Sequence, residues 1–481
     1  MPVLRLLLLI AAWSVLPIGR AHTQDAGDGL EKSRWPPSAL DDASTSPGPI
    51  DPLGLVGQEE RTEPALATLE QSPEQPQPPV EDDKLRWRGS MDWFFSLQGT
   101  LPAQGQLNPD NRVLHVPSGI VSNQLRPNLR FEFSSLQLVV RPRFSVAWQA
   151  TNASGETDWK QWTSSVDWPE VYGSWRLGDS LAVTYGLQNY QWGPGETLNP
   201  TNTIIHRPYS RNILTLIRGK QLVRVNISSG RRLSAILLVE PADNGEAPFV
   251  YGEKFEPKIL LRAELTSESG SSHFGVAAGA GGAPSAWFGE YGSLALTDAL
   301  SVYVDARHQH GSIAWYPAPV GSNSETGFLH AHKNDIQTIG IAGARYSFEN
   351  GIDVRGEYIQ NDPGYTRSEE RQATRNVLAR AGANPAVLGY LNAPGLDLPG
   401  RKYAYASIRA PDLGRDDALT LDFRVLKTLS DNTAAMFLNV EWITTDAWVL
   451  FMSSMATVGD SDGDLTRLLR GYAIAGSRYT W

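Results

Sequence analysis

An all-β fold, a transmembrane antiparallel up-and-down β-barrel of about 18 strands (about 16 in the smaller tally), is predicted by three observations. The chain opens on an export leader. After it, no stretch approaches the roughly 20 consecutive apolar residues that a spanning helix needs. From Met91 onward, apolar and polar residues alternate in runs of strand length. A chain of slightly polar mean hydropathy can cross lipid by closing its strands on themselves. That satisfies every backbone group and shows hydrocarbon only alternate side chains.

The leader occupies residues 1–21, with Arg5 near its start, an apolar run from Leu6 to Ala12 and a Gly19-Arg20-Ala21 exit. The 481 residues contain no Cys, so neither disulfides nor lipid attachment through a thiol is expected. Residues 22–85 form a Pro-rich linker with runs such as Trp35-Pro36-Pro37 and Gln75-Pro76-Gln77-Pro78-Pro79. From Asp25 to Asp83 it holds 14 acids against Lys32, Arg34 and Arg61, a net of −11. Residues 84–481 hold 38 acids and 37 bases, so the formal charge of −10 belongs to the linker. So polar a segment buries too little apolar surface to offset its ordering entropy, and it is expected to be disordered in the periplasm.

The barrel domain is assigned to residues 86–481. Its clearest strand runs from Leu136 to Gln149, with Leu138, Val140, Pro142, Phe144, Val146 and Trp148 on one face and Gln137, Arg141, Arg143, Ser145 and Gln149 on the other. The same division recurs at 258–266 and 419–425, as a lipid-facing wall around a wet lumen requires. Trp168, Trp175, Trp287, Tyr303, Tyr358, Tyr403, Tyr405 and Trp442 are expected in the interfacial aromatic girdles. Short breaks at 178–180, 228–230, 269–271, 297–298 and 349–351 suit periplasmic turns. Long connections are expected near 101–124, 150–163, 191–211, 241–256, 311–334, 361–400 and 457–468. The weakest places in the tally are Thr428–Thr433 and Thr444–Asp446.

The last segment, Tyr472 to Trp481, sets Ala473, Ala475, Ser477, Tyr479 and Trp481 on one face. This aromatic ending is similar to the final strand of Gram-negative outer-membrane β-barrels. The resemblance implies a porin-like barrel in the outer membrane, with lipid and the barrel-assembly machinery as partners and with Tyr479 and Trp481 as the assembly signal. Trp192-Gly193-Pro194-Gly195, at a strand exit, resembles a run in capsule surface-assembly barrels. Strand number and an arginine-lined lumen resemble alginate-export barrels. Trp192 is thereby a candidate sugar-stacking side chain, with an interfacial girdle position as the plainer expectation.

Alternation points Arg130, Glu132, Arg141, Arg143, Arg224, Arg262, Asp305, Arg307, Asp353, Arg355, Glu357, Asp422, Arg424 and Glu441 into the lumen. Arginine outnumbers lysine 33 to 9, and its planar guanidinium suits carboxylate recognition. Either these arginines select anions or they neutralise the acids across strands. His308, His310, His330 and His332 form two H-x-H pairs that a metal could bridge if adjacent strands brought them together. Thr366-x-x-Glu369 is a capping box that starts a basic helix in the 361–400 insertion, which enters the lumen or lies over the mouth.

No catalytic motif is present: no G-x-S-x-G, H-E-x-x-H, phosphate loop or dinucleotide fingerprint. No cofactor is expected, and the near-neutral barrel with an acidic linker argues against nucleic acid. The expected function is a porin-like channel for small hydrophilic solutes with an anion bias. The alternative is a barrel that exports or assembles a surface polysaccharide.

Overall fold

The computed structural model describes residues 84–481 except 104, 112–115, 154–155, 206–211, 231, 244–248, 283–285, 331–334, 382–383, 385, 461–462 and 468, and the backbone alone at 152–153, 156–161 and 415. The leader and nearly all of the acidic linker lie outside these residues. Twenty strands follow one another: β1 (Arg86–Pro102), β2 (Gly119–Phe133), β3 (Leu136–Ala153), β4 (Glu156–Arg176), β5 (Leu181–Gln188), β6 (Lys220–Ser229) and β7 (Leu233–Glu240). Next come β8 (Lys258–Thr266), β9 (His273–Ala280), β10 (Ala286–Ala295), β11 (Leu300–His310), β12 (Trp315–Pro317), β13 (Phe328–His330) and β14 (Ile336–Ser347). The last are β15 (Asp353–Asn361), β16 (Lys402–Leu413), β17 (Leu419–Thr428), β18 (Ala434–Ile443), β19 (Trp448–Val458) and β20 (Leu469–Thr480).

Eighteen of these form one antiparallel sheet; β12 and β13 pair only with each other. The sheet closes because β1 pairs with β2 on one side and β20 on the other, from Asp92↔Thr480 to Pro102↔Leu469. Closure leaves no edge to seek a partner in lipid. Both doubtful places in the strand tally are hairpin turns, joining β17 to β18 and β18 to β19. Among the described residues, no helix is long and apolar enough to cross a membrane.

The outward face is apolar and exposed, including Leu97, Phe144, Val146, Leu261, Phe288, Val304, Phe423 and Leu450. At the short-turn end, Trp175, Tyr346, Phe348, Trp442 and Trp481 are exposed, as an interfacial girdle requires. The aromatic expectation divides. Trp168, Trp175, Tyr358 and Trp442 face outward, but Trp287, Tyr303, Tyr403 and Tyr405 are buried on the inward face. Aromatic identity alone does not tell lipid from lumen; the parity of each position does.

Two departures concern connections. Residues 150–163 are mostly strand: β3 and β4 run to 18 and 21 residues and continue their pairing as a long hairpin. That ladder slips between Arg141 and Arg143, opposite Glu170 and Asp167. Pro142 and Pro169 lie at the slip, and neither has an N–H to give the ladder.

The 361–400 insertion forms helices Arg367–Arg380 and Val387–Asn392, and the capping box between Thr366 and Glu369 is complete. Ala373 and Val377 of the first helix pack with Val387, Leu388 and Leu391 of the second. Leu107 and Phe328 from two other connections complete this group. This is a second small core made of loops, outside the ring of strands. The basic helix packs within this group of connections.

Candidate lumen site

The polypeptide between β5 and β6 packs against the inward face of the wall, where Val116, Leu398 and Leu465 of other connections join it. Its residues 189–205 and 212–217 carry Trp192, Leu198, Ile204, Ile205 and Leu214, all buried. Leu198 and Leu214 pack in one cluster with inward Phe94, Ile359, Phe437 and Phe451. Trp192, Ile204 and Ile205 pack in another with inward Leu222, Leu238, Leu260 and Tyr291. One segment therefore touches inward side chains on both sides of the ring.

Lumen carboxylates hold this segment. Glu357 of β15 accepts from the backbone N–H of Glu196 at 2.7 Å and of Thr197 at 3.1 Å, from Thr197 Oγ1 at 2.6 Å and from Tyr303 Oη at 2.9 Å. Asp305 of β11 accepts from Thr201 N at 3.0 Å and Thr201 Oγ1 at 3.1 Å. Arg307 Nη1 donates to the Pro200 carbonyl at 3.1 Å, and Arg355 Nη1 pairs with Glu196 at 2.9 Å. Hydrogen bonds gathered on one buried side chain fix its partners in place, each contributing about 1 kcal/mol net. The Trp-Gly-Pro-Gly run makes this approach possible. Gly193 has φ +100°, and a Cβ there would overlap Asp305 and Asn199; at Gly195 it would overlap the Leu198 carbonyl. Asn199 then closes the turn, accepting from Gly195 N at 2.7 Å and donating to Gly195 O at 3.1 Å.

All fourteen lumen residues expected from alternation share the inward parity, but their company differs. Asp353 is paired with Arg345 and with Arg355 (3.2 Å), and Arg424 with Asp422 at 3.3 Å. Arg262 is paired with Glu264, donates to Tyr291 and to Tyr190 Oη (2.8 Å), and is buried. Arg141 pairs with Glu170 and donates to Asn128 at 3.1 Å. Arg143 is buried and donates to Ser145 at 3.0 Å. Arg224 lies 4.5 Å over the Tyr190 ring with Nη2 3.5 Å from Thr184 Oγ1, and no carboxylate among the described residues pairs with it. Arg130, Glu132 and Glu441 sit near the short-turn end, where Arg130 is opposite Arg88, Glu132 opposite Arg86, and Glu441 opposite Thr420.

No protein-family model and no curated protein sequence matches the chain. Solved structures do. OccAB1 of Acinetobacter baumannii superposes with a TM-score of 0.50 at 11% identity, over 82% of this chain and 96% of that one. OprD of Pseudomonas aeruginosa, an outer membrane protein, gives 0.45 at 10% identity, over 82% and 94%. Wzi of Escherichia coli, an outer membrane protein involved in group 1 capsule assembly and a carbohydrate-binding β-barrel, gives 0.46 at 11% identity, over 81% and 83%. Such identities speak to fold alone. The chain has the closed-barrel fold of OccAB1. Its closed wall and apolar outer band place it in a Gram-negative outer membrane.

Within this barrel, Trp192 is neither a girdle residue nor an open stacking surface. It is 6% exposed, its ring lies 5.7 Å from that of Tyr190, and its Nε1 donates to Thr201 Oγ1 at 3.1 Å. It anchors the inward segment. The histidines are likewise dispersed. His308 contacts Thr338 and Glu290 on the outward face and His310 is exposed, while His330, in the β12–β13 hairpin, stacks on Trp315 and faces Glu253 at 3.6 Å. His332 lies outside the described residues. Among the described residues no group of three metal-ligating side chains forms.

Sequence reasoning missed Tyr190, Thr197 and Thr201, and with them the entry of the segment into the lumen. The available signal was the Gly193/Gly195 pair, which marks close backbone approach. At the chain end, Tyr479 meets Trp481 edge to face and Trp448 at a tilt, with centroids 4.7 and 4.9 Å apart, beside Trp93 on β1. Trp481 N donates to Met91 O at 3.0 Å, so the last residue sits on the closure seam.

Proposed function

We propose that the barrel is a non-catalytic diffusion channel for small hydrophilic solutes, narrowed by its inward segment and biased toward anions. The observation that carries the bias is how the lumen charges are used. Asp305 and Glu357 are consumed in holding the segment. On β2 to β6, Arg126, Arg130, Arg141, Arg143, Arg176 and Arg224 share the inward face with Glu132, Asp167 and Glu170. An excess of guanidinium charge along one wall of a narrow, weakly screened passage favours anions. Carboxylates match its planar donors best.

The packing of the segment against both walls supports a second reading, a barrel that retains a surface polysaccharide. A planar bilayer separates the two. Stepwise conductance with a reversal potential on the anion side supports the channel. A silent bilayer together with oligosaccharide binding to the folded protein supports the alternative.

A further inference from the structure

A group of buried ionisable side chains ties the loop layer to the barrel rim, apart from the lumen site. Glu370 of helix Arg367–Arg380, with Asp464 and Arg467 of the β19–β20 connection, are 7%, 6% and 5% exposed. Arg467 Nη1 lies 3.8 Å from Glu370 Oε1. Tyr403, at the start of β16, donates its hydroxyl to Asp464 Oδ2. Asp464 N donates at 2.9 Å to Asp431 in the β17–β18 turn, whose other oxygen accepts from Thr433. Tyr365 faces the group from the insertion and Arg367 from the helix itself. Arg367 pairs outward with Asp460 at 3.0 Å, and Arg401 with Glu369 at 3.7 Å.

Three carboxyl groups from three connections thus meet at this junction, with Arg467 beside Glu370. Glu370 Oε1 and Asp464 Oδ1 are buried without a hydrogen bond. Full ionisation would leave like charges facing each other in a dry junction, which burial penalises strongly. We propose that this junction is a pH-sensitive latch: with Glu370 protonated it holds the helical insertion on the barrel rim, and ionisation of Glu370 releases it.

Burial, helped by Asp464 and Asp431 and opposed by Arg467, pushes the Glu370 carboxyl up to about 8. Burial likewise raises Asp464. The sign follows. A carboxyl whose value is raised in the closed state favours closure at low pH. That contribution is complete below its ordinary value and is lost as pH rises through about 8.

The test is trypsin cleavage of the full-length folded protein in detergent, followed from about pH 6 to about pH 9.5 and normalised to a peptide substrate at each pH. Cleavage after the exposed Arg371 and Arg375 is expected to rise at least about ten-fold across pH 8, while the barrel keeps its heat-modifiable mobility. In Glu370→Gln the rate should stay low throughout. Should that variant not fold, Asp464→Asn should still show the rise, with its midpoint moved to lower pH because one repelling charge is gone. A flat wild-type profile overturns the latch, as does Glu370→Gln with the wild-type midpoint or Asp464→Asn with an unmoved one. Proteolysis reads the latch whether or not the barrel conducts, so this result stands apart from the channel proposal.

Discussion

The wall formed by β11, β14 and β15 and the wall running from β20 through β1 to β6 use the same side-chain types for different ends. On the first, Asp305, Glu357, Arg307 and Arg355 are buried and engaged with the inward segment, so their charges act as structural ties. On the second, Arg224 rests on an aromatic face and a hydroxyl, and Arg143 donates to a serine. That wall also holds the seam where the chain's two ends meet. Inward position is therefore not the same as availability to a solute. The inward segment touches both walls, but it gives Arg307 a carbonyl and Arg355 a carboxylate, whereas it gives Arg224 only the Tyr190 ring.

The largest effect is expected at the seam. Deleting Trp481 removes a main-chain bond to Met91 and a ring beside Tyr479. Export should continue, but heat-modifiable barrel should be lost from outer-membrane fractions; normal folded yield would remove the aromatic terminus from the assembly signal. Next comes the anchored wall. Glu357→Ala leaves two backbone N–H groups and two hydroxyls without their acceptor, so the folded state should lose about 3 kcal/mol in denaturant titration. Single-channel current should also become noisier as the segment loosens. Quiet channels with unchanged stability would mean that Glu357 is not an anchor. The smallest effect is expected outside both walls. Arg232→Ala breaks only an exposed pair with Glu268 in a turn, and neither stability nor conductance should change measurably.

Alternation made the barrel legible. At Leu136–Gln149 it separated the faces correctly, and it placed Arg141, Arg143, Arg262 and Arg424 inward. Tyr403 and Tyr405 were assigned to the girdle on their aromatic identity, and the structure buries them on the inward face. The hidden part was the inward segment. Residues 191–211 read as a surface loop because their bonds to Glu357 and Asp305 span more than a hundred positions of chain, beyond any local period. Without that segment, the neutralised arginines could not be told from the accessible ones. Arg141, Arg262 and Arg424 each have a carboxylate beside them, which alternation alone does not reveal.

The reversal potential of single channels in a salt gradient, compared between wild type, Arg224→Glu and the outward-facing control Lys427→Glu, tests most directly whether the arginine-rich wall of β2 to β6 sets selectivity. Wild type should reverse on the anion side. Arg224→Glu should move the potential toward cations, an effect that weakens as salt is raised, and Lys427→Glu should leave it unchanged. A wild-type channel that prefers cations, or an Arg224→Glu channel that reverses where the wild type does, would contradict that assignment.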